Sequence, residues 1–369
     1  MRNFIDNIKD NDLKKISEKV SEGKRITASE GLMLYEKAPL ALLGYLSFTV
    51  RKRLNGDIAY FNCNFHIEPT NICINNCLFC SYRKAAGEEG SWDYSVDEML
   101  DIVKKFDNSH VTEVHITGGV HPGRDINFYC GLISAIRRHR PELQIKAFSA
   151  VELDYMFSKS GLSIAEGLRM LRSCGLDSIP GGGAEIFDED IRQKICPGKT
   201  SSARWLTIHE TAHNMGIPSN ATILYGHIEN YAHRIDHMER LRTLQDRSGG
   251  FNAFIPLKYK KLNNPMSAAG EVSIIEDMRN YAVSRIFLDN FSHIKAYWPM
   301  LGKENAQVSL TFAVDDLDGT IEDTTRIYSM AGSEESNPVM SIQEITSLIM
   351  ETGYRPAERD TFYNIIRQW

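Results

Sequence analysis

Hydrophobic and polar positions follow two different rhythms along the chain. Residues 1 to about 55 show the apolar spacing of amphipathic helices, with Thr27 or Ser29 as candidate helix caps and an end near Gly56. After that, short β-rich apolar segments alternate with longer amphipathic ones, beginning with AYFNCNFHIEP at 59–69 and SVDEMLDIVKKFDN at 95–108. Repeated βα units of this kind favour a parallel barrel.

We therefore predict an α/β fold, a TIM-type (β/α)8 barrel over residues 56–320. A helical N-terminal layer over 1–55 and a helical C-terminal extension over 321–369 are expected to join it in one structural unit, since no Pro-, Gly- or Ser-rich linker divides the chain. Active sites of such barrels lie at the C-terminal ends of the strands. Polar or glycine-rich residues occupy those predicted ends at 115–119, 149–152, 181–185 and 226–229.

Composition narrows the class of protein. The 369 residues are 42% hydrophobic and 24% charged, and a net charge of −6 argues against nucleic-acid binding. The chain has no run of 18 apolar residues and no signal-peptide pattern, so we expect no membrane association and a cytoplasmic location. In that reducing compartment seven cysteines are expected to be ligands or buried thiols. Four of them are expected in the core: Cys63, Cys130, Cys174 and Cys196.

The other three cysteines form a cluster, Cys73, Cys77 and Cys80, within HIEPTNICINNCLFCSYRK at 66–84. A structural zinc site needs four ligands, usually from two close pairs. Cys63 or His66 could complete one, but both lie in a predicted strand that points away from the loop. A [4Fe-4S] cluster normally takes four thiolates, so three on one loop would leave one iron open for chemistry.

A second candidate metal motif is HETAHNMG at 209–216. It matches the zinc-protease pattern H-E-x-x-H, with His209 and His213 as ligands and Glu210 as general base. The third ligand of the longer pattern falls at Ser219, which is a poor zinc ligand. An apolar stripe predicts a helix packed on the barrel, with the histidines at its flanks or surface, so a zinc hydrolase remains only a remote alternative. That stripe consists of Trp205, Ile208, Ala212 and Met215.

The cysteine spacing, with aromatic Phe79 before the third cysteine, resembles the signature of the radical S-adenosylmethionine superfamily. TGGVHP at 117–122 resembles the glycine-rich motif of that superfamily. The resemblance implies a [4Fe-4S] cluster held by Cys73, Cys77 and Cys80. It also implies that S-adenosylmethionine chelates the open iron and is cleaved by one electron to methionine and a 5′-deoxyadenosyl radical. The residues expected to contact this cofactor are Phe79, Tyr82, Gly118, Gly119, Ser149, Glu152 and Glu185.

Further segments between residues 30 and 365 resemble the aminofutalosine synthase family of menaquinone biosynthesis. They include KAFSAVEL, IPGGGAEIF, NATILYGHIE, IKAYWPMLG, DDLDGT and the terminal GYRPAERDTFYN. The resemblance implies addition of the radical to 3-[(1-carboxyvinyl)oxy]benzoate, giving 6-amino-6-deoxyfutalosine, methionine and bicarbonate. Dehypoxanthine futalosine cyclase and the synthase of the deazaflavin FO remain alternatives. Ser329 stands where a histidine is expected in this family.

The implied substrate carries two carboxylates, which call for cationic or amide partners. Candidates for these contacts are Arg83, Asn290, His293 and Lys295. Candidates for catalysis are His66, Glu68 and His227 as acids or bases, with Arg285 as a cationic partner. A flavodoxin- or ferredoxin-type protein is expected to donate the electron.

Overall fold

The structure is a computed structural model that describes residues 5–320, 326–332 and 339–369. Between residues 11 and 55 the chain forms the helices α1 (Asn11–Ser21), α2 (Ala28–Lys37) and α3 (Leu40–Asn55). Thr27 begins α2 through a capping box, because its side chain accepts from the N–H of Glu30 while the Glu30 carboxylate accepts from the N–H of Thr27. Among the described residues, no helix is both long and apolar enough to cross a bilayer.

In the part of the chain that the structure describes, ten strands follow. They are β1 (Ile58–Phe61), β2 (Asn64–Ile67), β3 (Glu113–Ile116), β4 (Gln144–Ala147), β5 (Ser219–Tyr225), β6 (Phe251–Lys258), β7 (His293–Ala296), β8 (Asp316–Leu317), β9 (Arg355–Arg359) and β10 (Ile365–Gln368). Two sheets have the orders β2-β3-β4 and β10-β9-β1-β8-β7-β6-β5.

The two sheets join into a closed barrel, which confirms the predicted fold class. Parallel bridges link Lys146 to Ser178 and Ile179 to Ser219, so residues 178–179 stand between β4 and β5. On the other side Thr320, just past β8, donates its N–H to the carbonyl of Asn62 at 3.2 Å. The barrel order is therefore β2, β3, β4, 178–179, β5, β6, β7 and β8.

Helices follow the strands in the chain, and most of them pack on the outside of the barrel. They are α4 (Val96–Lys104), α5 (Ile126–His139), α6 (Ala150–Lys159), α7 (Ile164–Cys174), α8 (Glu189–Ile195), α9 (Ser202–Asn214), α10 (Tyr231–Ser248), α11 (Ile274–Phe287), α12 (Trp298–Leu301), α13 (Lys303–Phe312), α14 (Ile327–Met330) and α15 (Ile342–Glu351). Ser95, Ser149, Ser163 and Ser341 begin four of them through capping boxes. Their apolar faces pack on the strands in one continuous core.

The prediction of a helical C-terminal extension is incomplete. Helix α15 is followed by a β-hairpin, in which β9 pairs in parallel with β1 and β10 pairs antiparallel with β9. The sequence of β9, RPAER, does not predict a buried strand, because Glu358 and Arg359 are charged. Both are nevertheless fully buried. Arg359 is compensated by an ion pair to Asp316, 2.7 Å away.

Candidate active site

A cavity of about 300 Å³ opens at the C-terminal ends of the barrel strands. Of the residues expected to form the site, eleven line it. They are Cys73, Cys77, Phe79, Cys80, Tyr82, Arg83, Gly118, Gly119, Ser149, Glu185 and Lys295. The cavity therefore lies where a parallel barrel places its active site.

The cysteine loop follows β2 and presents three thiols to this cavity. The Sγ of Cys73 accepts the backbone N–H of Val120 at 3.3 Å. The backbone N–H groups of Tyr82 and Arg83 are directed at Cys80 and act to lower its pKa, although burial raises it overall. Three sulfurs beside an open cavity, two of them facing N–H donors, fit a [4Fe-4S] cluster with one iron left for another ligand.

Gly118 and Gly119 allow the backbone of the cysteine loop to approach the end of β3. A Cβ on Gly119 would lie 2.4 Å from the carbonyl oxygen of Ile72, and one on Gly118 would lie 2.8 Å from that of Thr70. The Gly119 N–H donates to the same Thr70 oxygen at 2.7 Å. The glycines thus seat the loop that carries Cys73.

Glu152, expected to contact the cofactor, does not line the cavity. Its carboxylate accepts from the Thr117 hydroxyl at 2.9 Å and from the Gly118 N–H at 3.1 Å. It also completes the capping box with Ser149. Burial raises the pKa of Glu152, and the hydrogen bonds from Ser149 oppose that shift. Glu152 therefore holds Thr117 and Gly118 of the glycine motif in place through hydrogen bonds.

Glu185 pairs with a lysine that the sequence did not single out. The Nζ of Lys199 lies 2.6 Å from the Glu185 carboxylate and 5.4 Å from the centre of the Phe79 ring. Glu185 itself has φ +48°, which turns the chain at the cavity wall. Lys199 brings a positive charge to the edge of the cysteine loop, and it lines the cavity too.

The interior of the barrel carries two ion pairs below the cysteine loop. The Nζ of Lys146 lies 2.7 Å from the Glu113 carboxylate, and that of Lys295 lies 2.9 Å from Asp318. Burial alone would raise the pKa of Glu113, yet Lys146 and neighbouring cations lower it to about 2. Of these four residues, only Lys295 was expected in the site. The sequence did contain a signal for Lys146, because a lysine within a buried strand, QIKA at 144–147, needs a partner for its charge.

His66 does not line the cavity, but His115 on the neighbouring strand β3 does. His66 pairs in register with His115, and the two rings lie 4.8 Å apart. Burial lowers the pKa of His66 to about 4 and that of His115 to about 3, so both rings are neutral at neutral pH. Among the described residues, the Nε2 of His115 has no hydrogen-bond partner.

Glu68 and His227 also lie off the cavity wall. The Glu68 carboxylate accepts the backbone N–H groups of Arg326, at 3.0 Å, and Ile327, at 3.3 Å, and so anchors the start of α14. His227 lies 3.2 Å from Glu229 and 3.1 Å from the carbonyl of Leu224. Both predicted acid–base residues have structural partners in this arrangement.

The expectations for Arg285, Asn290 and His293 are wrong, because these residues lie at the opposite end of the barrel. His293 is the first residue of β7, not a residue beyond its end, and its Nδ1 lies 2.6 Å from Asp315. Arg285 is fully buried against the same Asp315 carboxylate. The Nδ2 of Asn290 donates to the carbonyl of Arg242 at 2.9 Å.

The H-E-x-x-H histidines, expected at the flanks of the apolar stripe or at the surface, are buried. The Nδ1 of His209 and the Nε2 of His213 each lie 2.7 Å from the hydroxyl of Ser219. The His209 ring also packs 3.8 Å from that of Trp205. Burial lowers the pKa of His213 to about 4. Both rings are thus held by a serine hydroxyl within the barrel wall, and the described residues place no acidic ligand beside them.

Comparisons with known proteins agree with this arrangement. Residues 67–241 match the family model "Radical SAM superfamily", and residues 248–369 match "CofH/MqnC C-terminal region". The chain is 44% identical over 366 residues to aminodeoxyfutalosine synthase of Thermus thermophilus, covering 98% of each chain. It is 37% identical to aminodeoxyfutalosine synthase of Streptomyces coelicolor, covering 96% of this chain and 94% of that one.

The fold is also found in solved structures. Methylornithine synthase matches with a TM-score of 0.74 at 17% identity, covering 93% of this chain and 97% of that one. Together with the three cysteines around the cavity, the matches identify a radical enzyme that uses a [4Fe-4S] cluster and S-adenosylmethionine. The chain belongs to the aminodeoxyfutalosine synthase family of radical S-adenosylmethionine enzymes.

Proposed function

We propose that the second substrate of this enzyme is 3-[(1-carboxyvinyl)oxy]benzoate and that the products are 6-amino-6-deoxyfutalosine, methionine and bicarbonate. The observation that carries the proposal is a cavity lined both by the three cysteines and by two buried lysines, Lys146 and Lys295. The cluster, when bound, supplies the electron that cleaves S-adenosylmethionine to methionine and the 5′-deoxyadenosyl radical.

The residues near the cysteine loop are proposed to hold S-adenosylmethionine. Cys73, Cys77 and Cys80 bind the cluster. Phe79 and Tyr82 offer aromatic faces to the adenine, while Ser149 and Glu185 offer oxygen atoms to the ribose hydroxyls and the ammonium group. Arg83 lines the same wall and its Nε lies 3.4 Å from the carbonyl of Cys73, so its guanidinium is near the cluster site. These contacts would fix the ribose C5′ relative to the second substrate.

Lys146 and Lys295 are proposed to bind the two carboxylates of the second substrate. Each ammonium has three donors, and one is used on Glu113 or Asp318. The carboxylates of those partners keep the lysines charged inside the barrel. Amide and hydroxyl groups of Asn64, Asn220 and Thr222 lie in the same wall and can satisfy the ether and carboxylate oxygens.

His115 is proposed to accept the proton that is released when the lost carboxyl group and water become bicarbonate. It lines the cavity, and burial lowers its pKa to about 3, so the neutral imidazole takes the proton only transiently and passes it on to water. His66, expected in this role, is proposed instead to position His115 from the neighbouring strand. This assignment follows from exposure to the cavity rather than from sequence spacing.

Exclusion of water is proposed as the role of the segment 326–332. Ile327 and Ala331 line the cavity, and Glu68 holds the start of this segment through backbone N–H groups. A primary alkyl radical abstracts hydrogen from weak X–H bonds nearby, so an enclosed apolar cover protects the addition step. Ser329 lies in this cover and donates its hydroxyl to the carbonyl of Arg326 at 3.1 Å.

A flavodoxin- or ferredoxin-type protein is proposed as the electron donor. The cysteine loop reaches the surface, where Ile74 is 47% exposed, so a partner with a redox group near its own surface can come close to the cluster. We propose a cytoplasmic location, because the cluster must be reduced to act and that compartment is reducing.

The test is an anaerobic incubation of reconstituted, reduced enzyme with S-adenosylmethionine and 3-[(1-carboxyvinyl)oxy]benzoate, followed by mass analysis of the nucleosides. We expect a substrate-dependent adduct that carries the adenosine. The cyclase alternative requires stoichiometric free 5′-deoxyadenosine from dehypoxanthine futalosine instead. An enzyme that forms only free deoxyadenosine with the benzoate would refute the substrate assignment.

A further inference from the structure

Three side chains with metal-binding groups meet at the N-terminal end of the barrel, opposite the cavity. Cys63 stands between β1 and β2, His110 precedes β3, and Glu358 lies on β9. One ligand atom from each, a thiol sulfur, a ring nitrogen and a carboxylate oxygen, lies within 4.8 Å of the other two. The proposed reaction uses none of them.

Their burial is unusual for groups of this kind. Cys63 and the Glu358 side chain have no exposed surface, whereas His110 is 53% exposed. The Nε2 of His110 lies 2.5 Å from one Glu358 oxygen, and Arg367 lies 3.0 Å from the other. Among the described residues, the buried carboxylate thus faces two partly exposed side chains, His110 and Arg367, with the buried thiol of Cys63 beside it.

We propose that Cys63, His110 and Glu358 bind a zinc ion. Thiolate, imidazole and carboxylate are the three ligand types that zinc takes in proteins, and here they converge from three separate segments. Binding forms Zn–S, Zn–N and Zn–O bonds and releases the Cys63 thiol proton to solvent. The thiolate and carboxylate together neutralise the two charges of the ion, which suits a buried position.

A surface cavity beside Cys63, His110 and Glu358 provides access for the zinc ion and room for a water molecule as its fourth ligand. Its volume is about 400 Å³, and His110 lines it together with Thr112, Gln144 and Asp360. A bound ion would join the first barrel strands to the C-terminal hairpin. The proposed zinc site is therefore structural. A metal ion that binds only the folded protein stabilises it against unfolding.

The test measures zinc in the reconstituted holoenzyme after dialysis against micromolar Zn²⁺, together with the anaerobic titration of Co²⁺ as a spectroscopic probe. The wild type is compared with Cys63→Ala, His110→Ala and Arg367→Met, and with His139→Ala as a matched surface-histidine control. We expect one zinc per chain in the wild type and in His139→Ala. We expect no thiolate-to-cobalt band in Cys63→Ala and at least about 100-fold weaker binding in His110→Ala, since even outer-shell changes cost 10–100-fold.

We expect Arg367→Met to strengthen zinc binding, whereas His110→Ala weakens it. Removing the guanidinium that lies 3.0 Å from a ligand oxygen should tighten zinc binding severalfold, which a merely structural disturbance would not do. Because His110 and Arg367 are both partly exposed, this pair of variants decides the question even if Cys63→Ala fails to fold. Equal zinc in all variants, zinc that only replaces lost iron, or no zinc in the wild type would overturn the proposal.

Discussion

Lys146 on β4 and Glu113 on β3 form an ion pair, 2.7 Å from Nζ to carboxylate oxygen, in the wall of the active-site cavity. The two side chains are 6% and 2% exposed. A charge pair so far from water is stable only while both members are present, since a lone buried charge is strongly destabilising. The pair therefore offers the proposed substrate a charged lysine in the buried wall of the cavity.

Substitution of Lys146 by Met should weaken substrate binding. We expect kcat/KM for the benzoate substrate to fall about 100-fold, mainly through KM, which corresponds to about 2.7 kcal/mol for loss of a buried charge partner. The single variant should also be less stable, because it leaves Glu113 unpaired. The double variant Lys146→Met/Glu113→Gln is the control. It should recover the melting temperature but not the affinity, and recovery of both would contradict the assignment of Lys146.

The three cysteines of the loop, but not Cys196, should be required for the cluster. Cys196 is buried close to the loop, and the N–H of Leu78 donates to the carbonyl of the neighbouring Ile195 at 2.7 Å. We expect Cys77→Ala to lose the cluster absorbance and all turnover, while Cys196→Ala keeps about four irons per chain and its activity. Iron analysis and electron paramagnetic resonance with and without S-adenosylmethionine make the distinction. Cluster loss in Cys196→Ala would mean that a fourth cysteine takes part.

The sequence pattern was sufficient for the barrel and for the metal loop. The alternation of β-rich and amphipathic segments predicts a parallel barrel, and the spacing of Cys73, Cys77 and Cys80 predicts that three thiols lie together on one loop. Both are local patterns that tertiary contacts do not alter.

Other features depended on three-dimensional contacts. His293 was expected to contact the substrate but is the first residue of β7, because the apolar pattern of a segment does not fix the residue at which its strand begins. Lys146 was missed because strand periodicity alone does not say which face points into a barrel. The hairpin of β9 and β10 was missed because Glu358 and Arg359 are buried only through partners distant in the chain.

Gly119 should not tolerate a side chain. A Cβ at this position would lie 2.4 Å from the carbonyl oxygen of Ile72, so Gly119→Ala must displace the backbone of the cysteine loop. We expect reduced iron content and faster cluster loss in air. Gly131→Ala is the matched control, because a Cβ there meets no atom within 4 Å and the position lies inside helix α5. That variant should be as stable as the wild type or up to about 1 kcal/mol more stable.

Arg285 should matter for stability and not for catalysis. It is fully buried against Asp315, and its guanidinium also donates to the backbone carbonyls of Ala313 and Phe291, each at 3.1 Å. Arg285→Met should lower the free energy of unfolding by about 3–5 kcal/mol, because Asp315 keeps a buried charge. At a temperature where the variant is folded, kcat should stay within about twofold of the wild type. A large fall in kcat with unchanged stability would restore the catalytic assignment.

The buried histidines should make the protein sensitive to mild acid. Burial lowers the pKa of His213 from 6.5 to about 4 in the folded state, so the unfolded chain binds the proton more tightly. The stability that the neutral ring provides is complete above pH 6.5 and is lost as the pH falls from 6.5 towards 4. One such proton changes the free energy of unfolding by up to about 1.4 kcal/mol per pH unit.

His213→Gln, which can keep a hydrogen bond to Ser219, should therefore show a flatter dependence of this free energy on pH. Anaerobic urea unfolding between pH 7 and pH 5 measures the slope, with His139→Gln as the surface control. Parallel curves for His213→Gln and the wild type would show that this ring carries its proton equally well in the folded state.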